Sequence, residues 1–174
     1  MKGRSDRCVM YPFASVLNPL ARLNGKYLPL MVRGVKYALP YRRVLARGGM
    51  GELLSRPDLP DLVAGVITRR GRLIPVLELP DSPASVAGSV PPIAVTILVV
   101  QSCAEDNPML PVGLCVDQVF DPVTLSGDDF KPELPCDQDP ALPCLASVPK
   151  LGLHIIDFDR RVSRALFSAD RVAD

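Results

Sequence analysis

The sequence predicts a small, mainly β domain, a barrel or a sandwich, followed by one short C-terminal helix. Three observations predict it. The 174 residues include 19 prolines, which leave little room for long helices because proline lacks an N–H and clashes with the preceding turn. Short apolar runs recur between turns that contain glycine or proline, the pattern of short strands at regular spacing. Only one stretch, near the C-terminus, spaces its apolar residues as a helix does. Hydrophobic residues make up 48% and charged residues 22%, which suits one globular domain and argues against disorder.

The elements follow in chain order. Residues 1–26 read as an N-terminal extension. Lys2, Arg4 and Arg7 precede a mildly apolar stretch, but Pro12, Asn18 and Pro19 interrupt it, which argues against a cleaved secretion signal. Tyr27–Val32 and Val35–Leu39 flank Gly34 and predict a β-hairpin. Pro40 ends the second strand, and Tyr41–Ala46 is a turn or an extended segment. Gly48, Gly49 and Gly51 are expected to break any continuation. Pro57-Asp58-Leu59-Pro60 is a rigid loop. Leu62–Ile67 and Leu73–Leu79 flank a basic turn and form a second hairpin. Residues 80–92 form a surface loop rich in Pro, Ser, Ala and Gly. Ile93–Val100 is the clearest strand, dominated by β-branched residues. Asn107-Pro108 marks a turn, and Val112–Phe120 is another strand, closed by Asp121-Pro122. Residues 126–147 read as irregular, and Leu151–Ile156 as the last strand. Asp157–Ser168 is the helix, with Asp157 at its N-cap and Phe158, Val162 and Leu166 on one face.

Net charge is +1, so bulk attraction to nucleic acid or to a membrane surface is not the expected business of the chain. The charge is nonetheless split along it. Residues 1–72 carry fourteen Lys/Arg against four Asp/Glu, and residues 73–174 carry six against fifteen. Such a chain can present two faces to two partners, or two solvated faces that neutralise each other. The longest charge-free run, Ser82–Ala104, is interrupted by Pro83, Pro91 and Pro92 and reads as a buried strand with its loop, not as a membrane span. Five cysteines contain no C-x-x-C pair; reduced thiols in the cytoplasm are expected, with Cys115 packing as a small hydrophobe.

Few residues invite catalysis. The single histidine, His154, lies in an apolar run and reads as structural, since nothing near it in sequence orients it as a base. The acidic pairs Asp128/Asp129 and Asp157/Asp159 read as a solvated turn and a helix start. The glycines at 48, 49 and 51 have the wrong spacing for a phosphate loop. Cys136 and Cys144 enclose seven residues, a spacing that fits no zinc signature. No enzyme activity, cofactor or metal is expected. The basic cluster Arg42, Arg43, Arg47, Arg69, Arg70 and Arg72 has only Tyr37 and Tyr41 nearby, poor stacking for a nucleic-acid platform.

Leu59–Leu79 resembles the central stretch of CheW-like domains. Gly65, Val66, Ile67, Arg70, Gly71, Pro75, Val76 and Leu79 match that family's pattern in register. Three other runs match in the right order: Tyr37-Ala38-Leu39 followed by Val44; Val112-Gly113-Leu114-Cys115-Val116-Asp117-Gln118-Val119; and Ile155–Val162. Two departures stand out. Ala46 stands where an acidic residue is usual, and Thr68 where asparagine is often found.

The resemblance implies a CheW-like domain over residues 27–170, built as two five-stranded β-barrels packed around a shared apolar core. It implies a non-catalytic, cytoplasmic adaptor that couples a methyl-accepting chemoreceptor to the regulatory domain of a CheA-type histidine kinase. By the same resemblance Val44 falls at the kinase contact, and Gly65, Val66, Ile67, Arg70 and Gly71 fall in the hairpin near the receptor-facing groove. Ordinary core packing explains Val66 and Ile67 equally well. Two alternatives remain open: a CheW-like component of a type IV pilus or twitching-motility system, and a redox- or metal-responsive sensor using Cys136 and Cys144.

Overall fold

The computed structural model describes residues 23–60, 62–78, 96–103, 109–132 and 144–167. The chain opens with an antiparallel hairpin, β1 (Gly25–Val32) and β2 (Val35–Pro40). A 3-10 turn at Tyr41–Arg43 leads into β3 (Val44–Gly49). A second hairpin follows, β4 (Val63–Arg69) and β5 (Arg72–Leu77). Then come β6 (Thr96–Ser102), β7 (Leu110–Val116), β8 (Gln118–Val119), β9 (Val123–Leu125), β10 (Lys131–Pro132), β11 (Cys144–Val148) and β12 (Leu153–Ile156). One helix, α1 (Phe158–Phe167), closes the described chain.

Both expected hairpins form, and each turns on Arg-Gly. Arg33 and Gly34 have φ of 50° and 81°; Arg70 and Gly71 have φ of 50° and 73°. Two successive left-handed residues give the turn whose twist matches that of paired strands. The backbone N–H of Arg33 donates to the Asp117 carboxylate, which ties the first turn to the kink between β7 and β8.

The strands form two sheets. The first has seven strands, ordered β10-β11-β12-β2-β1-β8, with β9 also pairing β1. The second has five, ordered β3-β6-β7-β5-β4. In each, the chain links the two ends of the order. A 3-10 turn at Gly127–Asp129 joins β9 to β10. In the second sheet, Leu54 beyond β3 forms an antiparallel bridge to Val66 of β4. This connectivity is compatible with the expected pair of barrels.

The core explains why the strands read as continuous apolar runs. Tyr27, Ala38, Leu125, Phe130, Ala146, Val148, Leu153 and Ile155 cluster within the first sheet. Ile67, Ile74, Val76, Ile97, Val99 and Cys115 cluster within the second. A third cluster draws on both: Leu28, Leu30, Leu39 and Ile156 meet Leu77, Leu98, Val100, Val112, Leu114 and Val116, with Phe158, Val162 and Ala165 of α1. Successive residues of one strand enter different clusters, as Ile97 and Leu98 or Ile155 and Ile156 do. A strand with period-two geometry buries both faces this way. The helical face expected from Phe158, Val162 and Leu166 packs on this shared core.

Three expectations change. The glycines after β3 do not break it, since the strand runs through Gly48 and Gly49. The segment expected to be irregular contains β10 and β11; Ala146 and Val148 alternate inward from it and are buried. The single strand expected over Val112–Phe120 is divided at Asp117 into β7 and β8. The N-terminal extension before Leu23, the whole of the 80–92 loop and Ile93–Val95 lie outside the described residues. The charge split along the chain is not a split between sheets: basic-half strands β2 and β3 pair with acidic-half strands β12 and β6.

Candidate functional site

The resemblance points to two regions, and the fold sets them on different strands. The first is the start of β3. Val44 pairs with Val100, but the register then slips, and Ala46 pairs with Val99. The residue between them, Leu45, is pushed out of the ladder, as a β-bulge does. Val44 is half-buried against the shared core, while Leu45 is 54% exposed. Sequence reasoning named Val44 and missed Leu45; a bulge leaves no signature in alternation that separates the two beforehand. Tyr41, at the turn leading into this strand, is also exposed, with the Lys26 ammonium 4.9 Å from its ring centre.

The first residues of β3 are tied down from the other side. Arg43, directly before Val44, donates from Nε to the Gln101 carbonyl at 2.8 Å. Its two terminal nitrogens engage both carboxylate oxygens of Asp159 on α1. Asp159 also accepts from the backbone N–H of Cys103 at 2.7 Å and from the Ser102 hydroxyl at 3.3 Å. The Arg43 guanidinium lies 5.8 Å from the centre of the Phe158 ring.

The second region is the β4–β5 hairpin. Gly65 is there because two chains approach closely. A Cβ on it would lie 2.6 Å from the Leu54 carbonyl oxygen and 2.8 Å from Leu53 Cδ1. That approach lets Leu54 and Val66 exchange backbone hydrogen bonds of 2.8 and 2.9 Å. Val66 is 9% exposed, and Ile67 is fully buried in the core of the second sheet. Arg70 is exposed at the turn, and Gly71 beside it sustains the left-handed backbone. Val66 faces Leu54 on one side and Pro75 on the other, with the pair Thr68 and Leu73 two residues along. Paired residues share a face of the sheet. Leu54 and Leu73, 57% and 61% exposed, therefore flank Val66 on the face it presents. Both leucines escaped the sequence reading, because in an apolar run an exposed leucine looks like a buried one.

A third arginine braces the hairpin. Arg69 pairs with Glu52 at 3.0 Å and donates to the Arg47 carbonyl at 3.3 Å. A Cβ at Gly48 would lie 2.5 Å from the Arg69 guanidinium. The glycine that was expected to end β3 instead leaves room for this side chain to cross it.

The other residues weighed for chemistry lie on other elements. His154 sits on β12 opposite Ser147, its ring 6.1 Å from that of Tyr37. Asp129 accepts from the backbone and hydroxyl of Ser126, and these bonds hold its carboxyl below the usual range. Asp157 accepts from the Arg160 N–H at 3.2 Å, the expected cap; burial raises its pKa above the usual 3.8. Burial, with Glu78 and Asp117 nearby, pushes the Cys115 thiol up to about 11, as expected of a cysteine packed as a hydrophobe. The cysteines do change one expectation. Cys103 is disulfide-bonded, while Cys115 and Cys144 are not. Uniformly reduced thiols are overturned by that pattern; Cys136 lies outside the described residues. Among the described residues no group of three or more His, Cys, Asp or Glu side chains converges as a metal site, and no helix is long and apolar enough to cross a membrane.

The family model of the CheW-like domain matches residues 26–152. Among solved structures, the chain is similar to the scaffolding protein TtCheW from Thermoanaerobacter tengcongensis, with 20% identity and a TM-score of 0.59 over 76% of this chain and 88% of that one. At that identity the likeness concerns the fold. No curated protein matches the sequence.

Proposed function

The chain belongs to the CheW-like domain family, and from that premise we propose that it is a non-catalytic adaptor. It couples methyl-accepting chemoreceptors to the regulatory domain of a CheA-type histidine kinase in the cytoplasm. The observation that carries this reading is the family match across most of the described chain, and the surface agrees with it. An adaptor needs two separate docking surfaces. Val44 and Leu45 lie at the start of β3, where it pairs with β6, and Val66, Leu54 and Leu73 lie on and around the β4–β5 hairpin, which the Leu54–Val66 bridge joins to the chain beyond β3.

At the first surface, Leu45 supplies an exposed apolar anchor and Val44 its support, for docking the kinase domain. At the second, Gly65 permits the Leu54–Val66 approach, Ile67 fixes the hairpin to its core, and Leu54, Val66 and Leu73 form the apolar face. Arg70 supplies a forked donor for a carboxylate or carbonyl of the receptor. It holds a left-handed backbone that costs a non-glycine residue about 1 kcal/mol or more. Apolar anchors within a polar rim are the usual economy of such interfaces.

The test is a pull-down with the full chain as bait beside Leu45→Glu and Arg70→Glu, each first shown to keep the wild-type circular dichroism. Recovery of a histidine kinase lost with Leu45→Glu, and of a chemoreceptor lost with Arg70→Glu, supports the reading. Recovery of neither by the wild-type chain overturns it. The same adaptor logic serves type IV pilus and twitching-motility systems, and the identity of the recovered kinase decides between the pathways.

A further inference from the structure

We infer that Asp159, in the first turn of α1, is a positioning residue for the Val44–Leu45 docking surface, acting through Arg43. The inference rests on the proposed role of that surface. Asp159 lies beyond residues 26–152, the span that the family model matches.

The geometry runs in three steps. Asp159 gathers donors from two directions: Ser102 Oγ and Cys103 N at the end of β6, and both terminal nitrogens of Arg43. A forked guanidinium–carboxylate contact fixes orientation as well as distance. Arg43 is held at its third nitrogen by the Gln101 carbonyl, so its side chain is tied at both ends of the guanidinium. Its backbone directly precedes Val44, the last paired residue before the register slips to Ala46. A bulge re-aims one side chain, and here that side chain is Leu45. The ladder alone leaves the slip poorly defined, because Leu45 makes no paired contact of its own. The clamp on Arg43 sets where the slip begins and so where Leu45 points.

Phe158 makes the anchor rigid. It is 1% exposed within the shared core and precedes Asp159, so the carboxylate is carried by a residue that cannot shift without opening that core. Side-chain exposure of 18% for Arg43 and 33% for Asp159 leaves the pair partly shielded, where charge–charge contacts keep more of their strength than at the open surface.

The test uses the full chain and reads two things, amide hydrogen exchange along β3 and binding to the purified regulatory domain of a CheA-type kinase. In Asp159→Asn, exchange at Leu45, Ala46 and Arg47 is expected to rise at least tenfold while that of β5 and β7 stays within twofold. Kinase-domain binding is expected to weaken about tenfold, and the exchanged pair Arg43→Asp with Asp159→Arg to recover at least half of both losses. Arg43→Lys, which keeps the charge and loses the fork, is expected to fall between. Unchanged exchange in β3, or a rise spread evenly over both sheets, overturns the inference. If β3 exchange responds but the wild-type chain binds no kinase domain, the clamp stands as the device that aims Leu45 and the adaptor reading fails.

Discussion

Gly65 and Leu45 carry opposite expectations, and each follows from what surrounds it. An added methyl at Gly65 meets a carbonyl oxygen at 2.6 Å and a leucine at 2.8 Å; backbone cannot yield as a flexible side chain can. Gly65→Ala is therefore expected to cost about 1–3 kcal/mol, the usual penalty for overpacking, measured by urea denaturation. Leu45→Glu touches no core. It is expected to change stability by less than about 0.5 kcal/mol, as surface substitutions do, and to abolish kinase-domain binding measured by calorimetry. An unfolded Leu45→Glu protein would mean that the exposed bulge residue is structural after all. Arg70→Glu belongs beside it: the turn needs the backbone of residue 70 and not its charge, so the fold is expected to survive while receptor binding is lost. Val44 and Leu45 also mark the limit of reading at this scale. The motif pointed to Val44, but which of two adjacent apolar residues meets solvent depends on a register slip that only the pairing with β6 reveals.

Among the elements, α1 makes the sharpest prediction with pH. Asp157 is carried at a raised pKa, chiefly because burial disfavours its charge. A carboxyl raised in the folded state binds its proton more tightly there than in the unfolded chain. Its contribution to stability is thus fully present below 3.8 and fades as the pH rises through the higher folded value. Asn also caps a helix and carries no charge to bury. Relative to wild type, Asp157→Asn is expected to gain stability as the pH rises from 3 to 7, in paired denaturation curves; a constant difference would sink the argument. The helix and both hairpins were legible because each is announced locally, by an N-cap and a spaced apolar face or by an Arg-Gly turn between apolar runs. The extension of β3 through Gly48 and Gly49 was not. Glycine ended the run on propensity, whereas in the fold the Arg69 side chain needs the space that Gly48 leaves. Nor was β11, where flanking prolines hid a short strand whose inward residues are only Ala146 and Val148.

For the whole molecule, the shared cluster decides cooperativity. Leu114 is fully buried there among side chains from both sheets and α1. Leu114→Ala is expected to cost about 2–5 kcal/mol and to leave a single unfolding transition, because neither sheet keeps a complete core without the other. Two separate transitions, one per sheet, would show that each folds on its own. Pairing between β2 and β12 adds a consequence in time. Tyr37 lies beside His154 and Ala38 beside Ile155, in parallel, so one of the first strands made waits for one of the last. During synthesis the nascent first hairpin has one flank without its neighbour until the ribosome has delivered Leu153–Ile156, more than a hundred residues later. Contacts this distant along the chain slow folding, and an unpaired strand edge invites foreign strands. Messages truncated before the codon for Leu153 should therefore yield chains that collect on chaperones or in inclusion bodies rather than accumulate as a smaller folded core.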